Sequence, residues 1–296
     1  DGDTAILRRD GIQVFDHAGV PGDRIVKRIA WDPISAEKQG FKHFMLKEIH
    51  EQPDRIVDTL RGRIAPTAHT VEIPELKLSR EFVSNIDRIV ILACGTSYHS
   101  GLTARYAIEA LARVPVEVEL ASEFRYRSPV VSERTLAIAI SQSGETADTL
   151  AAIREARRLG ASTAAVCNVM ESTIARECGS VVYTQAGPEI GVASTKAFTT
   201  QLTALYLFAI WLGQERGVLN DATRTELIDA LRATPGMVEK AIELEPRIRA
   251  VAKELVSATS SLFLGRGAQF PIALEGALKL KDCLLYTSPS PRDQRG

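Results

Sequence analysis

Arg88-Ile-Val-Ile-Leu-Ala-Cys-Gly-Thr-Ser97 and Leu136-Ala-Ile-Ala-Ile-Ser-Gln-Ser-Gly-Glu-Thr146 follow one plan. Each is an apolar run of β character that opens through glycine and hydroxyl residues into helical sequence. A buried strand that breaks into a helix leaves several backbone N–H groups pointing one way, at the positive end of the helix dipole, and so makes a seat for an anion. One such turn reads as well as a helix cap, a role that Ser143 or Thr146 beside Glu145 suits. Two turns with a strand–helix unit between them are expected side by side at the carboxyl ends of parallel strands, where open α/β sheets bind ligands.

Working outward, strands are predicted at 88–94, 116–121, 135–141, 162–167 and 181–184, with helices at 97–112, 145–159 and 194–213. Leu102/Tyr106 and Ala107/Leu111 repeat at i,i+4, and Leu150 and Ile153 face inward while Arg154, Glu155, Arg157 and Arg158 are solvated. Regular alternation of strand and helix implies α/β architecture, a parallel sheet covered on both faces. Before it, Ala5-Ile-Leu7 and Ile12-Gln-Val-Phe15 flank an Asp10-Gly11 step that reads as a hairpin turn. Ala36–His50 and Pro53–Arg63 read as two polar surface helices, a connector with Pro53 in a first helical turn. After it, 221–256 is a long helical stretch. Ser261-Leu-Phe-Leu-Gly-Arg-Gly267 then repeats the strand-then-glycine plan, and Pro271–Lys281 is again a helix. Residues 283–296 match neither period and are set aside as a non-native tail.

The 296 residues are 45% hydrophobic and 25% charged, and 36 basic residues nearly balance 37 acidic ones. This balance favours neither nucleic acid nor an anionic membrane as partner. Cys94, Cys167, Cys178 and Cys283 form no CxxC pair, which suits reduced thiols in the cytoplasm. Asp1 begins a polar stretch without a secretory signal, and Ala197–Gln214, with Thr199, Thr200, Gln201 and Thr203, is too polar to span a bilayer.

The turns suit a phosphate monoester gripped by neutral donors, with no lysine needed. The nucleotide alternatives fit poorly: no GxxxxGK[ST] occurs, and Phe270 stands where a GxGxxG begun at Gly265 needs its last glycine. The five histidines show no metal-ligand spacing and no GxSxG elbow occurs, so neither a metal nor a serine nucleophile is expected. A third loop, Gly187–Lys196, runs glycine-rich into the helix at 194–213. A ligand contact at Ser194 and an ordinary capped helix start fit it equally. Glu275, Lys279 and Asp282 fall at i, i+4 and i+7 on one helix face, either a surface ion-pair stripe or a base and cation poised for proton abstraction.

Ile91–Tyr98, Ala121–Tyr126, Ser141–Thr149 and Glu189–Gln201 closely resemble the glutamine–fructose-6-phosphate aminotransferase (isomerizing) family. Lys47–Pro53 and Phe263–Gly267 through Ala273–Lys281 fit it too, so the resemblance covers about residues 1–282. It implies a glutaminase domain followed by two sugar-isomerase (SIS) domains of doubly wound, flavodoxin-like parallel sheet. The segments would be 1–33 as the strand-rich end of the glutaminase domain, 34–79 as linker, 80–220 as the first SIS domain, 221–256 as connecting helices and 257–282 as the start of the second SIS domain. It further implies that Ser97, Ser141, Gln142, Ser143 and Thr146 hold a sugar phosphate with Thr96 close by, and that Val192 and Ser194 line the sugar. Lys279 matches an active-site lysine. Asp282 stands where the family has its proton-shuttling glutamate, one methylene longer. The implied chemistry, fructose 6-phosphate and glutamine to glucosamine 6-phosphate, opens hexosamine synthesis and needs no cofactor, and a homodimer through the SIS portion is implied. The family's amino-terminal cysteine nucleophile, its Schiff-base lysine and its ring-opening histidine have no counterpart in this sequence, so sugar-phosphate binding without turnover is expected. A sugar-phosphate-sensing module of a transcription regulator would instead call for a basic helix-turn-helix before residue 80, where hairpin strands and mixed-charge helices stand. A stand-alone phosphosugar isomerase would lack the strand-rich start and the second SIS-like repeat.

Overall fold

The computed structural model describes residues 3–22, 37–65 and 69–287, and the chain divides into two units between residues 35 and 36. In the first unit β1 (Thr4–Arg8) pairs antiparallel with β2 (Gly11–Phe15), Thr4 opposite Phe15 and Arg8 opposite Gly11. The hairpin is as expected, but its turn is Arg9-Asp10, one residue earlier than the Asp10-Gly11 step, because Gly11 joins the ladder. Asp16 Oδ1 then accepts the N–H groups of Ala18 and Val20 at 2.9 Å, a local turn of the kind short carboxylates favour. Residues 23–33 of the expected remnant lie outside the described residues.

The second unit is built on a five-stranded parallel sheet of β3 (Arg88–Ala93), β4 (Val116–Leu120), β5 (Thr135–Ser141), β6 (Ser162–Cys167) and β7 (Val181–Tyr183), in the order β4-β3-β5-β6-β7. Alternate side chains of one strand serve opposite faces. Ile89, Ile91, Ile138 and Ile140 join one buried cluster with Ile108, Leu205 and Leu212; Val90, Leu92, Ala137 and Ala139 join another with Phe124, Ile153 and Ile174. Both faces are therefore covered, and the fold is a doubly wound α/β sheet. Helices α3 (Gly95–Ala112) and α7 (Lys196–Glu215) supply the first cluster. The short α4 (Ala121–Phe124), α5 (Ala147–Arg158) and the short α6 (Thr173–Cys178) supply the second. Strand order reverses between β3 and β5. Leu92 lies opposite Ala139, so the two strands end at one rim.

Helix α1 (Phe44–Leu60) corrects the expectation of two surface helices at 36–50 and 53–63. It runs unbroken through Pro53, which has no N–H for the carbonyl of Ile49; Gln52 Nε2 donates to that carbonyl instead, at 2.9 Å. Nor is it a surface helix: Pro53, Ile56 and Leu60 are buried, and it packs on α7 and on α8 (Asp221–Ile242). A short α2 (Arg80–Asn85) precedes the sheet. The expected helical stretch 221–256 divides at residues 243–244 into α8 and α9 (Glu245–Glu254), and Leu255–Ser257 closes it as a 3-10 turn. None of the described residues of α9 is buried.

The expected strand at 261–267 does not form. Leu262 and Leu264 are 89% and 86% exposed, and no strand among the described residues lies beside them to take up their backbone hydrogen bonds. The following helix, α10 (Gln269–Thr287), packs against α3 and passes residue 282, where its periodicity was expected to stop; residues 288–296 lie outside the described ones. No described helix is long and apolar enough to cross a membrane. The stretch 197–214 is the largely buried helix its sequence suggested.

Candidate functional site

The first hydroxyl loop follows from Gly95, whose φ of +56° turns the chain out of β3 and directly into α3. The helix starts two residues before the expected 97, so Thr96 and Ser97 stand in its first turn. Cys94, the cap residue, makes no side-chain cap bond. Ser97 Oγ accepts from Gln201 Nε2 of α7 at 3.0 Å, and Ser100 Oγ lies 3.0 Å from Gln201 Oε1 and 2.7 Å from the Ser97 carbonyl. A buried glutamine on α7 thus fixes this loop from the side.

The second loop braces itself. Ser141 Oγ lies 3.0 Å from Thr146 Oγ1 and accepts the Gly144 N–H at 2.9 Å, while Ser143 Oγ accepts the Glu145 N–H at 3.2 Å. Gly144 is required twice over: its φ is +67°, and a Cβ there would run into Ser172 Oγ. Thr146 precedes α5 without capping it. A simple capping role therefore does not account for these hydroxyls. Gln142 Oε1 is buried without a hydrogen-bond partner. The Glu145 carboxylate takes the Thr173 N–H at 2.7 Å, and that bond holds it below the ordinary carboxylate range.

The third loop, 184–195, belongs to no helix or strand. Asn168, just past β6, joins it to the second: its N–H donates to the Gln142 carbonyl at 3.3 Å, its Nδ2 to the Gly187 carbonyl at 2.8 Å, and its Oδ1 accepts the Ala186 N–H at 2.8 Å. Glu189 gathers the far end, accepting from Ser194 Oγ at 2.9 Å, Thr195 N at 2.8 Å and Ala197 N at 3.1 Å. Between them, Glu48 of α1 accepts from Ile190 N at 2.6 Å and Gly191 N at 3.1 Å. Burial raises Glu48 above the ordinary carboxylate range, outweighing those two N–H groups, which lower it. Val192 is exposed.

Glu275, Lys279 and Asp282 share one face of α10, with Lys279 Nζ 3.3 Å from Glu275 Oε1 and 3.4 Å from Asp282 Oδ2. This is not the bland surface stripe. Glu275 is buried; its Oε1 accepts from Thr96 Oγ1 at 2.9 Å and its Oε2 lies 2.7 Å from His99 Nδ1. Lys279 Nζ also donates to Thr96 Oγ1 at 3.1 Å. Lys279 and the buried Glu275 therefore abut Thr96 of the first hydroxyl loop, with Asp282 joined through Lys279, side chains of the kind that hold and pass protons.

The family model described as the SIS domain matches residues 82–211. Among solved structures, the C-terminal domain of glucosamine-fructose-6-phosphate aminotransferase from Francisella tularensis superposes with a TM-score of 0.79 at 42% identity, covering 83% of this chain and 68% of that one. The chain belongs to the glutamine–fructose-6-phosphate aminotransferase (isomerizing) family. Family members from Clostridium tetani and Streptomyces coelicolor are 46% and 49% identical over 95% and 93% of this chain. The chain spans about half the length of these aminotransferases, 46% and 45%.

Placed within this aminotransferase fold, the ten candidate residues fall into three groups. Thr96, Lys279 and Asp282 form a single connected cluster through Lys279. Ser97, Ser141, Gln142, Ser143 and Thr146 lie in the turns that end β3 and β5. Val192 and Ser194 lie on the third loop, which Asn168 ties to the second. Gln201, His99 and Glu275 make further contacts with these groups, and of the three only Glu275 stands out in the sequence, as a candidate base on the α10 face. A signal existed for the other two: Gln201 is a polar residue inside an apolar helix, and His99 lies one turn beyond Thr96.

Proposed function

We propose that this chain supplies the hexose-phosphate-binding part of a transferase that makes glucosamine 6-phosphate and glutamate from fructose 6-phosphate and glutamine. The observation that carries the reading is the common rim. Two loops rich in hydroxyls and helix-starting N–H groups leave adjacent parallel strands at the point where strand order reverses. Ser97, Ser141, Gln142, Ser143 and Thr146 would take the phosphate oxygens, with Thr96 beside them, and Val192 and Ser194 would face the sugar. Lys279 and Asp282 would handle protons at the sugar carbons. Their link to Thr96 supports this, because it sets the proton-transferring pair next to the phosphate loop.

In this reading 1–33 ends a glutaminase domain, 34–79 is the linker, 80–220 the first SIS domain, 221–256 the connecting helices, 257–282 the opening of a second SIS domain and 283–296 a non-native tail. Two copies pair through the SIS portion, and the free Cys94, Cys167 and Cys178 suit a cytoplasmic setting. Thermal unfolding with fructose 6-phosphate or glucosamine 6-phosphate tests the reading. Either ligand is expected to raise the midpoint, and Ser143→Ala with Thr146→Ala to abolish the rise. No rise for the folded wild-type chain would overturn it.

A further inference from the structure

The loop assigned to the sugar leaves the short edge strand β7. Its middle hangs from α1. Glu48 is only 2% exposed, and its two oxygens meet two consecutive backbone donors: Oε1 takes Ile190 N at 2.6 Å and Gly191 N at 3.1 Å, and Oε2 takes Gly191 N at 3.2 Å. Only a carboxylate offers acceptors on both arms. A glutamine would turn an NH2 group toward one of these N–H groups and set donor against donor.

Gly191 fits the same purpose. Its φ lies outside the left-handed region, so backbone conformation does not demand glycine there. Instead a Cβ would stand 2.5 Å from Glu48 Oε2. Glycine lets the carboxylate approach. One turn along α1, Glu51 accepts Lys196 Nζ at 2.6 Å and lies 3.4 Å from Lys47 Nζ, which fastens the start of α7 to the same helix. None of these contacts touches the hydroxyl loops at β3 and β5.

We propose that Glu48 is the positioning residue of the sugar loop: it fixes the height of Val192 and Ser194 over the hexose and takes no part in holding phosphate. The proposal rests on the sugar-phosphate reading above. It separates the site into a phosphate seat braced by its own hydroxyls and by Gln201 of α7, and a sugar-facing loop whose middle is braced from α1.

Calorimetric titration of the full 296-residue chain with glucosamine 6-phosphate and, separately, inorganic phosphate tests it, in wild type, Glu48→Gln and Gly191→Ala. Both variants are expected to weaken the hexose phosphate about tenfold, the scale set by losing a charge-assisted hydrogen bond, and to leave inorganic phosphate within about twofold. Equal weakening of both ligands would show a general collapse of the site and overturn the proposal, as would unchanged hexose phosphate affinity in both variants. Amide hydrogen exchange at Ile190 and Gly191 needs no ligand and is expected to speed up in Glu48→Gln. Unchanged protection there would also overturn it. If wild type takes up neither ligand, the sugar-phosphate reading has failed, and with it the sugar role of Glu48; the exchange result then reports only whether the clamp exists.

Discussion

The loop at the end of β5 and the loop at 184–195 solve one problem in opposite ways. The β5 loop is stabilised by its own hydroxyls: Ser141 holds Gly144 and Thr146 within five residues of sequence. The 184–195 loop is stabilised by carboxylates, one of which, Glu48, is 143 residues from the Gly191 N–H it accepts. The first arrangement is local, whereas the middle of the second depends on α1 staying docked. Their carboxylates differ accordingly. Glu145, near the surface, is held low by a backbone N–H, and Glu48, buried, is pushed high.

The largest effect is expected at Gly144→Ala. An alanine there meets both a left-handed φ and the Ser172 hydroxyl, so a loss of roughly 2–4 kcal/mol in chemical denaturation is expected, together with loss of hexose phosphate binding. A loss well under 1 kcal/mol would show that the loop is softer than its internal bonding implies. Next comes Gln201→Leu, which removes the α7 brace and leaves Ser97 and Ser100 without that partner. About 1–2 kcal/mol of stability is expected to go, and if binding survives unchanged, the first loop does not depend on α7.

The two carboxylates give opposite pH signatures. A folded-state value below the ordinary one means that Glu145 contributes stability at neutral pH and loses it as pH falls through the ordinary carboxylate range and below. A raised value means that the contribution of Glu48 is fullest below the ordinary range and declines as pH rises through its own higher value. Urea unfolding from about pH 3 to 7 should therefore show wild type losing ground to Glu48→Gln as pH rises, and Glu145→Gln losing ground to wild type over the same rise. Parallel curves would remove the distinction between the loops. The smallest effect concerns Cys167, packed under Gly144, and Cys178, whose thiols burial pushes up to about 12 and about 11. Neither is expected to react with iodoacetamide at pH 8 in the native chain, and Gly144→Ala is expected to expose Cys167 first.

The contrast also marks what a reader of the sequence could see. Buried parallel strands advertise themselves as unbroken apolar runs. Arg88–Ala93 and Thr135–Ser141 therefore fall within a residue of expectation, and the glycine-hydroxyl turns follow from the same stretch. What depends on particular side-chain partners was hidden. Pro53 looked like a helix start because the Gln52 amide that replaces its missing N–H carries no pattern. Glu275 looked like one member of a surface stripe, since nothing in its spacing announces Thr96 and His99 across the helix interface. The run at 261–267 has the composition of a strand, but composition supplies no neighbouring strand to pair with.

The most direct test of the central claim follows the backbone amides of residues 95–97 and 141–146 during titration with glucosamine 6-phosphate. Both groups are expected to shift together and to saturate at one ligand concentration, because both loops grip the same phosphate. Shifts confined to one loop, or to residues away from both, would contradict it.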